Sequence, residues 1–190
     1  MSLFKTMMDL VYDITVQMLG LDPTTNPQNV MPLSFTESPA GLKNPHSDCV
    51  FYLVQFDDDP INRQIDDLTV PNSDPALTTK RTQYVRNLRI IWQTYGDDGF
   101  EWADKIRIKL MDQDILTLFK AQGISLIPDI KAPAYIPEKI GQQWYKRYDL
   151  FAKFNQLVTL ETHPPAINGV DIILEDEKGV IGTCSASAQS

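Results

Sequence analysis

Cysteine and histidine are scarce, with two of each in 190 residues. Cys49 and Cys184 lie far apart in unlike contexts. Neither a disulfide framework nor a zinc site is expected from them, and a reducing cytoplasm suits that usage. His46 sits in a loop between Pro45 and Ser47, and His163 precedes Pro164-Pro165 in a turn. Neither accompanies a nucleophile motif. The sequence has no G-x-S-x-G, no H-E-x-x-H, no P-loop and no glycine fingerprint of a dinucleotide fold. Apolar runs of membrane-spanning length are missing. The first residues carry Asp9 and Asp13, with Lys5 as the early cation, which is not a signal-peptide pattern. Cations are outnumbered, 17 Lys and Arg against 25 Asp and Glu, a net charge of −8. Binding nucleic acid through its phosphates needs clustered cations, so this balance argues against it.

What is present is ordinary for a globular chain: 43% hydrophobic and 22% charged residues, enough for a single domain over 1–190 with its own core. The organising stretch is Tyr84 to Met111. Leu88, Ile90 and Trp92 alternate with Asn87, Arg89 and Gln93, the period-2 pattern of a half-buried strand. Tyr95-Gly96-Asp97-Asp98-Gly99 breaks it, with glycine suited to the turn and aspartate to capping a helix. Phe100, Ala103, Ile106 and Leu110 then recur at helical spacing.

Before that unit, residues 2–19 read as a helix with a stripe of Leu3, Met7, Leu10, Val11, Ile14 and Met18, Ser2 as cap and Gly20 as stop. This N-terminal helix or arm (1–20) either packs on its own domain or reaches a neighbouring subunit. Prolines at 23, 27, 32, 39 and 45 make residues 20–45 an extended connector. CVFYLVQF, residues 49–56, is apolar on both faces and reads as a strand covered on both sides. Residues 57–79 hold six aspartates and three prolines and read as a long, projecting acidic loop. Beyond the central helix, a second helix ending at Gly123 and a short strand over 124–127 are expected. Glu138 to Trp144 suggests one or two helical turns. From Arg147, a long strand turns Tyr148, Leu150, Ala152, Phe154, Val158 and Leu160 to one face. Residues 168–176 are close enough to pair with it as a hairpin, with Val170, Ile172 and Leu174 inward, and the tail (180–190) is expected to be flexible. The class is α+β: an antiparallel or mixed sheet with helices on one face, a core over 80–176, an N-terminal helix and a long acidic loop.

Candidate chemistry is thin. His46-Ser47-Asp48-Cys49 is the densest mixture of reactive side chains, but adjacent residues of one peptide do not converge on a substrate. Asp97 and Asp98 suit a turn and a helix start better than an acid–base pair. Asp57-Asp58-Asp59 has neither EF-hand spacing nor a nearby histidine, so no metal site is expected there. Trp144-Tyr145-Lys146-Arg147-Tyr148 resembles a single-strand nucleic-acid platform, but alternating inward rings and outward charges explain it more simply. No catalytic residue, metal or cofactor is assigned.

The order of elements and their spacing resemble the neck or tail terminator proteins of tailed phages, a group that includes tail-completion and head–tail joining subunits. The resemblance runs over about residues 80–176. It rests on a strand ending in Tyr95-Gly96, a helix with Ala103 and Leu110 inward, Ile136-Pro137-Glu138, an Arg147-x-Asp149 strand, and a final strand from Ile167 to Leu174. It implies a structural virion subunit without enzyme activity or cofactor. Such a subunit forms a ring, usually a hexamer, that stops growth of the tail tube and meets the head connector. Assembly would take place in the host cytoplasm. The expected partners are copies of the chain, the tail tube or sheath protein and the connector or adaptor protein. DNA would pass the lumen without specific binding, and no membrane is involved. Contact candidates are Met7, Val11 and Met18 on the first helix, Tyr95 and Trp102 on the strand–turn–helix unit, and Arg147 and Asp149, which are placed to pair with a neighbour. Asp57, Asp58, Asp59, Asp66 and Asp67 are candidates for the lumen. The alternatives are a minor tail or baseplate subunit, a generic interaction module and, from another class, a small metal-dependent hydrolase.

Overall fold

The computed structural model describes residues 3–22, 24, 29–33, 47–71, 78–164, 169–176 and 179–187. Helix α1 (Leu3–Leu19) is followed by strands β1 (Val30–Pro32) and β2 (Cys49–Phe56), a 3-10 turn (Pro60–Arg63), β3 (Ile65–Pro71) and β4 (Thr78–Tyr95). Helices α2 (Gly99–Lys109) and α3 (Gln113–Ala121) come next. The remaining strands are β5 (Ile124–Ile127), β6 (Ala134–Tyr135), β7 (Glu138–Ile140), β8 (Gln143–Tyr145), β9 (Arg147–Thr162), β10 (Gly169–Asp176) and β11 (Gly179–Ser187). The chain divides into two compact units, Met1–Asn62 with Val85–Leu157, and Arg63–Tyr84 with Val158–Ser190.

In the first unit the strand order is β1–β2–β4–β9–β5, with β6 also on β9. β1 runs parallel to β2, whereas β2–β4, β5–β9 and β6–β9 are antiparallel, so the sheet is mixed. Pro32 is accommodated because β1 is a short edge strand, where a missing N–H costs no ladder bond. The register sets Tyr52 opposite Trp92 and Val54 opposite Ile90. These side chains share a face with Leu88, Leu150, Ala152 and Phe154, all buried. Helices α1, α2 and α3 cover it with Met7, Val11, Ile14, Met18, Ile106, Leu110, Ile115 and Phe119. Full burial of each large apolar side chain is worth about 1.5–3 kcal/mol, so this face supplies most of the unit's cohesion. Two side-chain bonds reinforce this packing, the first between sheet and helix and the second between helices. Trp92 Nε1 donates to Thr15 Oγ1 (2.9 Å), and Lys105 Nζ donates to the Leu19 carbonyl at the end of α1 (2.7 Å). Gly20, at φ 68°, closes α1 as expected, with Leu21 N–H returning to the Val16 carbonyl.

The other face of β2 is buried as well, by the chain's own β7–β8 hairpin. Cys49, Phe51, Tyr95 and Tyr145 form a second, smaller cluster there. A strand apolar on both faces therefore finds both covers at home.

Several expectations are corrected. Glu138–Trp144 forms no helical turn; it is the antiparallel β7–β8 pair, with Gly141 at φ 62° in the turn. Residues 57–79 are not one loop, because they contain the 3-10 turn and β3, which pairs with β4 from Ile65↔Tyr84 to Pro71↔Thr78. Residues 180–187 belong to strand β11, and β10 pairs with β11, so among the described residues β10 forms no hairpin with β9. Asp98 stands at the N-cap of α2 without a side-chain cap bond; its own N–H donates to Asp48 Oδ1 (2.9 Å). Phe100 is not inward: it is 45% exposed, edge-on to the Tyr148 ring at 5.7 Å. Leu160 is likewise exposed at 56%, although Leu150 and Phe154 on the same strand are buried. Ser2, and the side chains of Leu3, Val170, Ile172 and Leu174, lie outside the described residues.

The second unit contains β3 against residues 78–84 of β4, residues 158–162 of β9, and the β10–β11 pair, whose register shifts between Leu174 and Glu175. Ion pairs link Lys80 to Asp67 (3.0 Å) and Arg81 to Glu161 (2.7 Å). These pairs are about half exposed and add at most about 1 kcal/mol each.

Candidate functional site

The polar face of the first unit is built from the side chains that alternation leaves opposite the core. On β9, Leu150, Ala152 and Phe154 point to the helices, so Arg147, Asp149 and Lys153 point away. Arg147 Nε and Nη2 each lie 2.6 Å from an Asp149 carboxylate oxygen, a two-pronged pair. Arg147 Nη1 also reaches Glu138 Oε2 at 3.3 Å, and the Tyr95 hydroxyl donates to the same oxygen. The start of β7 is thereby pinned to the ends of β4 and β9. Burial, reinforced by the bond to Glu138, pushes the Tyr95 hydroxyl well above its ordinary range. Asp149, with its hydrogen bonds, keeps the Arg147 guanidinium firmly charged.

A second cluster centres on Asp57. Arg89 Nη2 is 3.2 Å from both its oxygens, and Lys153 Nζ is 3.1 Å from Oδ2. The Lys153 hydrogen bond, more than the Arg89 charge, holds the Asp57 carboxyl below its ordinary value. Arg89 also sits over the Phe151 ring (5.7 Å) on this face, whereas Arg86, which has the parity of Leu88, sits over Phe56 (5.2 Å) on the other.

The expected contact residues thus separate into groups. Met7, Val11, Met18 and Tyr95 are buried by their own chain, at 7%, 0%, 1% and 1% exposure. As folded, they offer almost nothing to a neighbour. Arg147 and Asp149 do not wait for a partner subunit; they satisfy each other. Trp102 is half-buried against the core, off the inward stripe of α2. Among the aspartates, Asp57 is neutralised by two cations, and Asp58 is exposed and Asp59 half-buried. Asp66 is exposed, and Asp67 accepts from Thr82 Oγ1 (2.6 Å) and pairs with Lys80.

Sequence reasoning missed Glu138 as the hub of the pinned corner and Lys153 as the partner of Asp57. For Lys153 a signal existed: it shares the β9 parity of Arg147 and Asp149. For Glu138 the Ile136-Pro137-Glu138 motif marked the position but not the role, because a strand of three residues shows no period.

The exposed apolar surface lies elsewhere. Phe100 (45% exposed) and Ile108 (56%), two turns apart on α2, line a shallow groove of about 310 Å3 with Glu101, Asp104, Lys105 and Lys109. Trp144 on β8, 65% exposed, is the most exposed of the large apolar side chains described, and Lys139 of β7 is its cross-strand partner.

Little here suits covalent chemistry. Burial, with help from the Asp48 charge, pushes the Cys49 thiol up to about 12, which keeps it protonated and unreactive. His163 is exposed beside Thr79 (3.2 Å), and His46 lies outside the described residues. Among the described residues no group of three or more His, Cys, Asp or Glu side chains converges on a metal-sized site. No described helix is long and apolar enough to cross a membrane.

Comparison with known proteins gives one family. The model of the phage neck terminator protein family matches residues 5–178, beginning inside α1 and including residues of both units. No curated protein matches the chain.

Proposed function

We propose that this chain, which belongs to the phage neck terminator protein family, acts as one subunit of a closed ring that caps the tail tube and joins it to the head connector. The coarse part of that statement follows from membership: the chain is a structural protein of the phage neck, a part of the virion. The ring, a hexamer, its position on the tube and its partners are our reading. The partners are the tail tube or sheath protein on one side and the connector or adaptor protein on the other, with assembly in the host cytoplasm.

The family match over nearly the whole chain carries the reading. Exposed Phe100 and Ile108, which line one groove, and exposed Trp144 support it as apolar side chains available to a neighbour. Because Met7, Val11, Met18 and Tyr95 are spent on the core, the subunit contact draws instead on exposed residues of α2 and the β7–β8 hairpin, with Trp102 at its margin. The net charge of −8 suits a channel that DNA crosses without being held. Asp57, Asp58, Asp59, Asp66 and Asp67 are the proposed lumen residues.

Native mass spectrometry of the purified chain tests the ring. A single closed species of six copies is expected. A chain that stays monomeric at every concentration contradicts the proposal.

A further inference from the structure

In the first unit, the α2 groove sets an exposed carboxylate beside apolar side chains, and the β7–β8 hairpin sets an exposed ammonium beside an indole. The groove floor is Phe100 and Ile108. Its charged rim is mostly engaged within the chain. Asp104 pairs with Arg107 (2.9 Å), Lys105 donates to the Leu19 carbonyl, and Lys109 pairs with Asp112 (2.6 Å). Glu101 and Lys105 are the rim charges with no ion pair among the described residues; the Lys105 ammonium is turned to the Leu19 carbonyl, which leaves the exposed Glu101 carboxylate beside the apolar side chains. The hairpin presents the converse. Trp144 projects from β8 into solvent, and Lys139, directly opposite on β7, has no ion pair among the described residues either. The hairpin is held rigid beneath them by the Glu138 bonds to Tyr95 and Arg147 and by buried Tyr145. An aromatic anchor on a pinned two-stranded ribbon loses little conformational freedom on docking. A groove of about 310 Å3 suits a single large side chain.

We propose that Trp144 and Lys139 of one copy dock on the α2 groove of the next copy, the indole against Phe100 and Ile108 and the ammonium against Glu101. This rests on the ring reading and gives it a specific contact. The knob and the groove are different patches of one surface, so the contact is heterologous. Contacts of that kind repeat head to tail and close when the rotation between copies allows. A second copy is the favoured occupant because the same chain supplies an exposed indole with an adjacent ammonium and an apolar groove with an adjacent carboxylate.

The test is sedimentation velocity of the full chain over a concentration series, with circular dichroism to confirm folding. Trp144→Ala is expected to raise the concentration needed for assembly by about 30-fold or more, as for a central aromatic anchor. Glu101→Lys and Lys139→Glu should each raise it about 5- to 10-fold, and the double reversal should return to within about 3-fold of the natural chain. The charge pair reads the contact independently of the indole. If the natural chain assembles and all three single variants assemble equally well, this contact is wrong and the ring reading stands. If single reversals weaken assembly but the double variant does not recover, the Lys139–Glu101 pairing is wrong. If the natural chain is monomeric throughout, both readings fail together.

Discussion

On the helix-covered face of the first unit's sheet, Leu88, Ile90, Trp92, Leu150, Ala152 and Phe154 are all essentially inaccessible to water. On the opposite face of the same strands stand Arg89, Arg147, Asp149 and Lys153, half-buried and ion-paired. Alternation alone separates the two sets. The first face is held by apolar burial, which is non-directional and involves no titrating group. The second is held by charges in fixed geometry, which specify where Glu138 and Asp57, and the segments carrying them, attach. The difference suggests a division of labour, in which burial makes the unit fold and the ion pairs fix the corner that holds Trp144 out.

That contrast can be broken at four points. Trp92→Ala removes the largest inaccessible side chain and its bond to Thr15, and should cost about 3–5 kcal/mol in denaturant unfolding. A loss under about 1 kcal/mol would mean the helix-covered face is not the principal source of stability. Arg147→Leu leaves Asp149 and Glu138 without their cation at a site only 19% exposed, and should cost about 2–3 kcal/mol, discounted from a fully buried pair. Its larger effect should be local, as faster hydrogen exchange in residues 138–145 than elsewhere in the unit. Gly96→Ala forces a side chain onto a backbone at φ 103°, where a Cβ would lie 2.7 Å from the Asp48 Cα; about 1–3 kcal/mol is expected. Asp57→Asn is the smallest, at most about 1 kcal/mol, because the pairs it loses are partly solvated.

The last variant also sharpens the contrast through pH. The Asp57 carboxyl has its folded-state pKa below the ordinary value of 3.8. Its contribution is therefore fully present above that value and is lost as pH falls through the lower, folded-state one. Stability measured from pH 6 down to about 2 should fall less steeply in Asp57→Asn than in the natural chain at the acid end. Parallel curves would show that the Asp57 cluster does not contribute as described.

The sequence was legible where one face is dry. Leu88, Ile90 and Trp92 alternate because water is excluded from one side of β4. Cys49–Val54 are apolar throughout because β2 has two covers. It was illegible where strands are short or wet. β7 and β8 have three residues each, with Tyr145 alone buried, so no period is visible. In β3, Ile65 and Leu68 are exposed at 62% and 48%, and aspartates occupy positions between them, so no dry face writes an alternation. After Val180 and Ile181, residues 182–187 are all small, so the strand that pairs with β10 shows no hydrophobic alternation. The same limits apply to the candidate site. A methionine stripe on α1 marks an apolar face but does not say whose surface covers it; here it is the chain's own. Tyr95 falls on the parity opposite Trp92 and yet is buried, because the β7–β8 hairpin returns to cover it. Phe100 and Trp144, two of the exposed rings, carry no sequence signal that distinguishes them from core aromatics.

The central claim is that copies of this chain close into a ring at the joint between tail and head. A reconstruction of the virion tests it most directly. The account predicts density for this chain as a closed ring capping the tail tube, with α2 of each copy facing the β7–β8 hairpin of the next. A chain found in isolated copies, or at the distal end of the tail, would contradict it.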